Sequence, residues 1–351
     1  MKAIKPLMVA MLGLSSLSIT AYAAGEEKIV SGEVVIPTNK KATVNPNPSN
    51  KRTTVHALDE YAQRVNDATW SENMNINTAM TVKIQALLDW NNASVGAIDG
   101  GWGMNSKKAL TNFQKMQGIE ATGKMNEETW QALTATTADQ PVLVSYTITE
   151  ADAKGPYNKL PESVEARSKL KALNYESIEE MLAERFHMTI AYLKKVNPNK
   201  KFVAGETITV INTGKPLEEK VDRVVVSRSD NVLYAYQKDT LVASYPTTVG
   251  GEASTTPGGK YKLINKVEMP NYKATVENDD GSKKSFILPS GPNSPVGVVW
   301  MGLNKPSYGI HGSPMPERIS RQSSLGCVRL TNWDALELLA VIDDGATVEI
   351  R

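Results

Sequence analysis

Between residues 76 and 136 the apolar side chains recur every three or four positions. Met80, Ile84, Leu87 and Leu88 share one helical face, Ala109, Leu110, Phe113 and Met116 a second, and Trp130 and Leu133 a third that Asn126 starts. Ile98-Asp99-Gly100-Gly101 and Ala121-Thr122-Gly123 read as turns between them, so the spacing predicts a small three-helix bundle. Upstream, Val55, Leu58, Tyr61 or Ala62, and Val65 predict a short helix with Thr54 as its N-cap. Residues 37–54 before it are rich in Pro, Asn and Lys and lack apolar periodicity, the pattern of a linker.

The period then changes twice. Val144–Ile148 alternates as a strand, Ser177–Arg185 and Thr189–Val196 read as helices, and Asn197-Pro198 breaks the chain before a strand at Glu206–Ile211. This is a βααβ order with a long stretch, Thr149–Tyr175, between its first strand and first helix. After Gly214-Lys215-Pro216 the β-branched and aromatic runs Val224–Ser227, Val232–Tyr236 and Leu241–Tyr245 predict a meander. Further strands are expected at Lys260–Asn265, Ser285–Leu288, Val296–Met301 and Ala346–Ile350, with a helix from Thr331 to Gly345. The expected fold class is multidomain α+β. It comprises a linker with a short helix (24–70), the helical bundle (71–138), the βααβ module with its insertion (142–215) and a mainly-β C-terminal domain (219–351).

Residues 1–23 are not expected to belong to the fold. Lys2 and Lys5, an apolar run from Leu7 to Ile19 and Ala21-Tyr22-Ala23 have the layout of a cleavable export leader, and the run is short for a membrane span. The expected product is an exported protein of the periplasm or cell envelope without stable membrane insertion. Lys and Arg number 39 against 38 Asp and Glu, a formal charge of +1, so charge makes no case for a nucleic-acid partner. One cysteine and three histidines exclude an internal disulfide and are too few for the common multi-Cys zinc modules, and no cofactor is expected.

That single thiol carries the candidate chemistry. His311 stands in Tyr308-Gly309-Ile310-His311-Gly312-Ser313, and Cys327 follows 16 residues later in Ser324-Leu325-Gly326-Cys327-Val328-Arg329-Leu330. An ordinary thiol is only a few per cent thiolate at neutral pH, and a neighbouring imidazole can lower its pKa and hold the proton for return to a leaving amine. Glycine before the cysteine lets the backbone turn so that the amides of Leu325, Gly326 and Cys327 could face an oxyanion. A buried, inert cysteine is the alternative reading of the pair alone. His187 and His56 have no candidate partner in the sequence.

Three resemblances add to this. Residues 82–133, through Ile98-Asp99-Gly100, Gly103, Ala109, Phe113-Gln114, Gly118, Gly123 and Thr129-Trp130, resemble the small peptidoglycan-binding domain of wall enzymes; most of these positions are also core or turn residues. The run from Leu182 to Val210, with Asn197-Pro198 and Ala204-Gly205-Glu206, is similar to the second half of a LysM module. Gly291-Pro292-Asn293-Ser294-Pro295-Val296-Gly297 and the His311 and Cys327 blocks, in this order over about residues 221–351, resemble the catalytic domain of the L,D-transpeptidases of bacterial cell walls.

The last resemblance implies Cys327 as nucleophile, His311 as base, and the backbone carbonyl of Gly312 or Ser313 as the group that orients the imidazole. Leu325 replaces a second histidine that many members have. Arg329 is a candidate contact for a substrate carboxylate or a brace for the nucleophile loop, with a structural salt bridge as the alternative reading. Tyr308 and Trp300 are candidate pocket walls, and Ser324 a candidate hydrogen-bonding group beside the nucleophile. The implied partner is peptidoglycan and the implied reaction thioester formation with a stem tetrapeptide, then transfer to an amine. Exchange with a D-amino acid, hydrolysis and lipoprotein attachment share that intermediate, and a non-catalytic wall-binding scaffold is the alternative of another class.

Overall fold

The computed structural model describes residues 29–35, 58–135, 140–250, 256–321 and 326–351. The expected leader, the linker stretch 37–54, Thr54, Ser324 and Leu325 lie outside the described residues.

The first described segment is a strand, β1 (Ile29–Val35), inside what the sequence suggests is linker. Helix α1 (Glu60–Asp67) is capped by Asp59, whose carboxylate accepts from the Ala62 amide at 2.7 Å, so the helix starts later than the Thr54 cap implies. Helices α2 (Thr78–Trp90), α3 (Met104–Met116) and α4 (Glu127–Thr134) follow the apolar periodicity, and Asn77 and Asn126 cap α2 and α4. Gln114 accepts from Gly123 N at 2.8 Å and donates to Lys124 O at 2.9 Å, which ties α3 to the turn before α4.

The next unit contains β2 (Leu143–Thr147), α5 (Glu150–Lys154), α6 (Val164–Ser168), α7 (Ile178–Arg185), α8 (Ile190–Lys195) and β3 (Thr207–Ile211). Strands β2 and β3 pair antiparallel from Leu143↔Ile211 to Thr147↔Thr207. A single apolar core, including Leu88, Ile98, Phe113, Leu143, Leu182, Tyr192 and Val210, runs through this unit and the helices before it. The two form one accessory body.

The C-terminal region holds β4 (Val221–Ser227), β5 (Val232–Gln237), β6 (Thr240–Pro246), β7 (Gly259–Glu268), β8 (Asn271–Glu277), β9 (Lys283–Leu288), β10 (Val299–Leu303), β11 (Gly309–His311), β12 (Val328–Arg329), α9 (Asn332–Val341) and β13 (Ile342–Ile350). Eight of the strands form one sheet, in the order β12-β11-β10-β7-β13-β4-β5-β6. Its two ends meet, because Thr248, just past β6, exchanges backbone hydrogen bonds with Arg329 of β12 at 2.8 and 3.0 Å. Helix α9 stops at Val341 rather than Gly345, since Ile342 already pairs with Val221 and the chain turns through Gly345 at φ +76°. Strand β10 starts three residues later than expected because Gly297, at φ +59°, holds a turn. Strands β8 and β9 form a hairpin, and β1 adds antiparallel to β8 as a third strand.

The long stretch 149–175 is what joins the two bodies. Val164 and Leu173 bury themselves against Ala274, Val276 and Leu288 of the hairpin. The Leu173 backbone donates to Ser290 O at 2.9 Å and accepts from Asn293 N at 3.0 Å. On the other side of the seam, Ser94 N donates to Ser244 O and Ser244 N to Asn92 O, both at 2.9 Å, so the accessory body hydrogen-bonds directly to the backbone of β6. His187, without an evident partner in the sequence, is half-buried at this seam and paired with Asp89.

Candidate active site

The short strands β11 and β12 run parallel and side by side, with Ile310 opposite Val328 and His311 opposite Arg329. Side chains alternate across a strand, so Ile310 and Val328 enter the hydrophobic core while His311, Arg329 and, one residue before β12, Cys327 take the other face. The Cα atoms of Cys327 and His311 are therefore separated by roughly 8 Å, one inter-strand step and two residues, with both side chains on the same side of the sheet.

His311 is buried, 3 % exposed. Its Nδ1 lies 2.6 Å from the Gly312 carbonyl, an acceptor, which fixes Nδ1 as the protonated nitrogen and leaves Nε2 with its lone pair. The Gly312 amide in turn donates to Val299 O at 3.2 Å. Trp300, opposite His311 on β10, stacks on the imidazole with centroids 5.8 Å apart and planes 26° apart. This stack needs Gly309, where a Cβ would come 2.7 Å from the Trp300 ring. Burial, aided by the Arg329 charge and opposed by the Gly312 hydrogen bond, pushes the His311 pKa down to about 3, so the imidazole is neutral at neutral pH.

Cys327 is half-buried, and its Sγ donates to Ser307 O at 3.5 Å. Burial raises its pKa above the ordinary thiol value, while the Gly309 backbone and the Arg329 charge act in the opposite direction. The pair thus rests as neutral thiol and neutral imidazole, whereas the sequence suggested a histidine that draws the thiol pKa down. Before the cysteine, Gly326 stands at φ +114°, a conformation that favours glycine.

Of the other candidates, Arg329 is tied by its backbone to Thr248, and its buried Nε has no hydrogen-bond partner among the described residues. Among those residues no carboxylate lies within ion-pair distance of its guanidinium, so a structural salt bridge does not account for it there. Tyr308 is half-buried beneath the Lys305 ammonium, 4.9 Å from its ring centroid. Ser313 is buried and its hydroxyl accepts from Met315 N at 3.2 Å, which stabilises the turn after the histidine. Among the described residues no group of three or more His, Cys, Asp or Glu is arranged to hold a metal ion.

One residue at the site is absent from the sequence candidates. Asn332, buried at the start of α9, accepts from Val298 N at 3.2 Å and donates to Pro292 O at 3.2 Å and to Glu184 Oε1 at 2.7 Å. Its sequence signal is only a polar residue after the Thr331 cap, which reads as an ordinary helix start.

Comparison with known proteins identifies two domain families in the chain. Residues 221–350 match the family described as "L,D-transpeptidase catalytic domain", and residues 79–133 match a "Putative peptidoglycan binding domain". A Bacillus licheniformis protein named "Putative L,D-transpeptidase YkuD" is 31 % identical over 174 residues, 49 % of this chain and 92 % of that one. "Probable L,D-transpeptidase YbiS" of Escherichia coli K12 is 26 % identical over 180 residues, 48 % of this chain and 58 % of that one. Among solved structures, the catalytic domain of an E. faecium L,D-transpeptidase is 22 % identical, covering 38 % of this chain and 99 % of that one, with a TM-score of 0.28. L,D-transpeptidase 3 of Mycobacterium tuberculosis is 13 % identical, covering 43 % of this chain and 76 % of that one, with a TM-score of 0.29. The chain belongs to the L,D-transpeptidase family, and its catalytic domain is accompanied by a domain of the peptidoglycan-binding type.

Proposed function

We propose that the protein is a cysteine-dependent L,D-transpeptidase acting on peptidoglycan stem tetrapeptides. The observation that carries this reading is the parallel pairing of β11 and β12, which puts the Cys327 thiol and the His311 imidazole on one face of the sheet. Nε2 of neutral His311 takes the thiol proton as Sγ attacks the carbonyl of an amide whose acyl side has the L configuration. Backbone N–H groups at Leu325, Gly326 and Cys327 hold the oxyanion. The imidazolium then gives its proton to the departing amine, D-alanine in a tetrapeptide stem, and a thioester remains on Cys327. An incoming side-chain amine of a diaminopimelate on a neighbouring stem loses its proton to His311, attacks the thioester and releases Cys327 as a cross-link forms. No ATP enters, because one amide is exchanged for another and the thioester conserves the acyl group's reactivity between the two steps.

Neutrality of both partners supports proton transfer in concert with attack rather than a preformed ion pair. Arg329, charged and without a carboxylate partner among the described residues, suits a carboxylate of the stem peptide. The helical domain, and the β2-to-β3 unit that carries the LysM-like run from Leu182 to Val210, fit the role of wall-binding modules. The leader-like pattern of residues 1–23 supports a site of action outside the cytoplasmic membrane, and no helix among the described residues is long and apolar enough to cross one.

Mass spectrometry of the full chain after incubation with disaccharide tetrapeptide tests the reading. The expected adduct is the disaccharide-tripeptide acyl group on Cys327, absent in Cys327→Ala and strongly slowed in His311→Ala; an unmodified wild-type protein, or cross-linking retained by Cys327→Ala, would overturn it. Product masses then separate a cross-linked dimer from a trimmed tripeptide, a D-amino acid exchange product or a lipoprotein conjugate.

A further inference from the structure

The Asn332 side chain lies where three sequence-distant pieces of the site meet. A Cβ built on Gly297 would fall 2.0 Å from its Oδ1, and a Cβ built on Gly312 would fall 2.2 Å from the same atom. Both glycines leave room for this one oxygen, which accepts from the Val298 amide. Gly312 is also the residue whose carbonyl holds Nδ1 of His311 at 2.6 Å. Asn332 therefore forms the floor under the peptide that fixes the imidazole.

The other end of the same amide faces the accessory body. Nδ2 donates to Glu184 Oε1 at 2.7 Å, and Glu184 is itself held by the Tyr175 hydroxyl at 3.2 Å. Donor Val298 N–H on one side and acceptors Glu184 and Pro292 on the other leave only one orientation of the amide in which every contact is a hydrogen bond. Turned over, the amide would aim its NH2 at the Val298 N–H and its oxygen at the Pro292 carbonyl. Glu184 is on α7, 148 residues from Asn332, and belongs to the core of the accessory body rather than to the catalytic sheet.

We propose that Asn332 is a positioning residue for the His311 imidazole, and that Glu184 of the accessory body, by holding the Asn332 amide in one orientation, makes the geometry of the active site depend on docking of that body. The catalytic domain alone would then carry every reacting group and still lack the part that keeps its base aligned. This rests on the role assigned to His311 above, and it adds that the wall-binding half of the chain participates in setting the rate.

The test uses the full-length protein and three variants: Glu184→Ala, Glu184→Gln and Asn332→Ala. Glutamine keeps an oxygen acceptor for Nδ2 and is expected to rescue what alanine loses. Misplacement of a reacting group by about 1 Å costs on the order of 10²-fold in rate, so Glu184→Ala and Asn332→Ala are expected to lose roughly that factor in kcat with KM little changed. A purely structural role would lower the amount of folded enzyme instead, without a selective loss in kcat per folded molecule. The second readout needs no substrate: nitrogen NMR of histidine-labelled protein reports the tautomer of His311. A single Nδ1–H tautomer is expected in wild type and Glu184→Gln, and a mixture in Glu184→Ala. If folded Glu184→Ala keeps both wild-type kcat and the single tautomer, the proposal is overturned, and the same result in folded Asn332→Ala overturns the positioning role. Should Asn332→Ala fail to fold, the two Glu184 variants still decide. A wild-type protein that forms no thioester would sink the proposed reaction, while the tautomer measurement would continue to judge this inference separately.

Discussion

The imidazole of His187 lies flat on the indole of Trp333, with ring centroids 5.1 Å apart and planes inclined by 13°, and its Nδ1 is 2.9 Å from Asp89 Oδ2. Asp89 comes from α2, His187 from the loop after α7 and Trp333 from α9, so this contact pins both parts of the accessory body to the catalytic domain. Burial pulls the His187 pKa down, but the Asp89 charge and hydrogen bond more than offset it, and the net shift is upward. A raised histidine contributes stability that is complete below its unfolded pKa and is lost as pH rises through the folded value. Nearby Asp334 is pushed up to about 8, mainly by burial and then by Asp89, and Glu337 is raised for the same two reasons. Acids with raised pKa also lose stability as pH climbs, from their unfolded values near 4 toward the folded ones.

Both contributions have the same sign, so thermal unfolding of the intact protein should occur at lower temperature at pH 9 than at pH 6. Asp334→Asn removes one buried ionisation and should raise the pH 9 midpoint by roughly 2–4 °C for each kcal/mol recovered. Scanning calorimetry at the two pH values checks this; an unchanged difference between them in the variant would contradict it.

The pH profile of acyl-enzyme formation should lack the fall near pH 6.5 that an exposed histidine base would produce, because His311 is held neutral down to about pH 3. The Arg329 charge is the second cause of that depression, after burial. Arg329→Gln should therefore raise the His311 pKa and move the acid limb of kcat/KM to higher pH. The same change removes a charge that favours the thiolate, so the Cys327 pKa should rise as well. Stopped acylation assays between pH 4 and pH 9 would show whether the two limbs move as stated.

Gly291 is at φ +152°, and a Cβ there would fall 2.1 Å from the Leu173 carbonyl oxygen, where the inserted stretch hydrogen-bonds to the catalytic domain. Gly291→Ala must push those backbones apart, at a cost of about 1–3 kcal/mol. Limited proteolysis is expected to cut the 157–173 segment faster in the variant than in wild type. Equal cleavage rates would show that the segment does not depend on this approach.

Gly309→Ala tests the wall of the pocket. The added methyl would meet the Trp300 ring at 2.7 Å and displace it from the imidazole. Acylation should slow by about tenfold or more, in line with the sensitivity of reacting groups to small displacements, and tryptophan fluorescence should report the shifted ring.

Much of the fold is legible in the sequence wherever a periodic pattern extends over several residues. Helices α2, α3 and α4, strands β4, β5 and β6, and β2, α7, α8 and β3 fall on such runs, whereas the five-residue helices α5 and α6 in the stretch between β2 and α7 are too short to show a period. Strands β11 and β12 span three and two residues, too few to show any alternation, yet their pairing brings His311 beside Arg329 and the adjoining Cys327. Strand β1 is stabilised by pairing with β8 rather than by its own pattern, and Thr54 misled because Asp59 offers a carboxylate closer to the apolar run. His311 and Cys327 were visible because each sits in a compact motif. Asn332 and the His187 partner were not, since their contacts join residues 148 and 98 positions apart and leave no mark in local spacing.

The hydrogen bonds that Asn92 and Ser94 make to Ser244 occupy the flank of β6. A strand flank left open is a template on which foreign extended chains can assemble. With those backbone groups already bonded to the accessory body, that part of the flank has no free donor or acceptor to offer a passing chain.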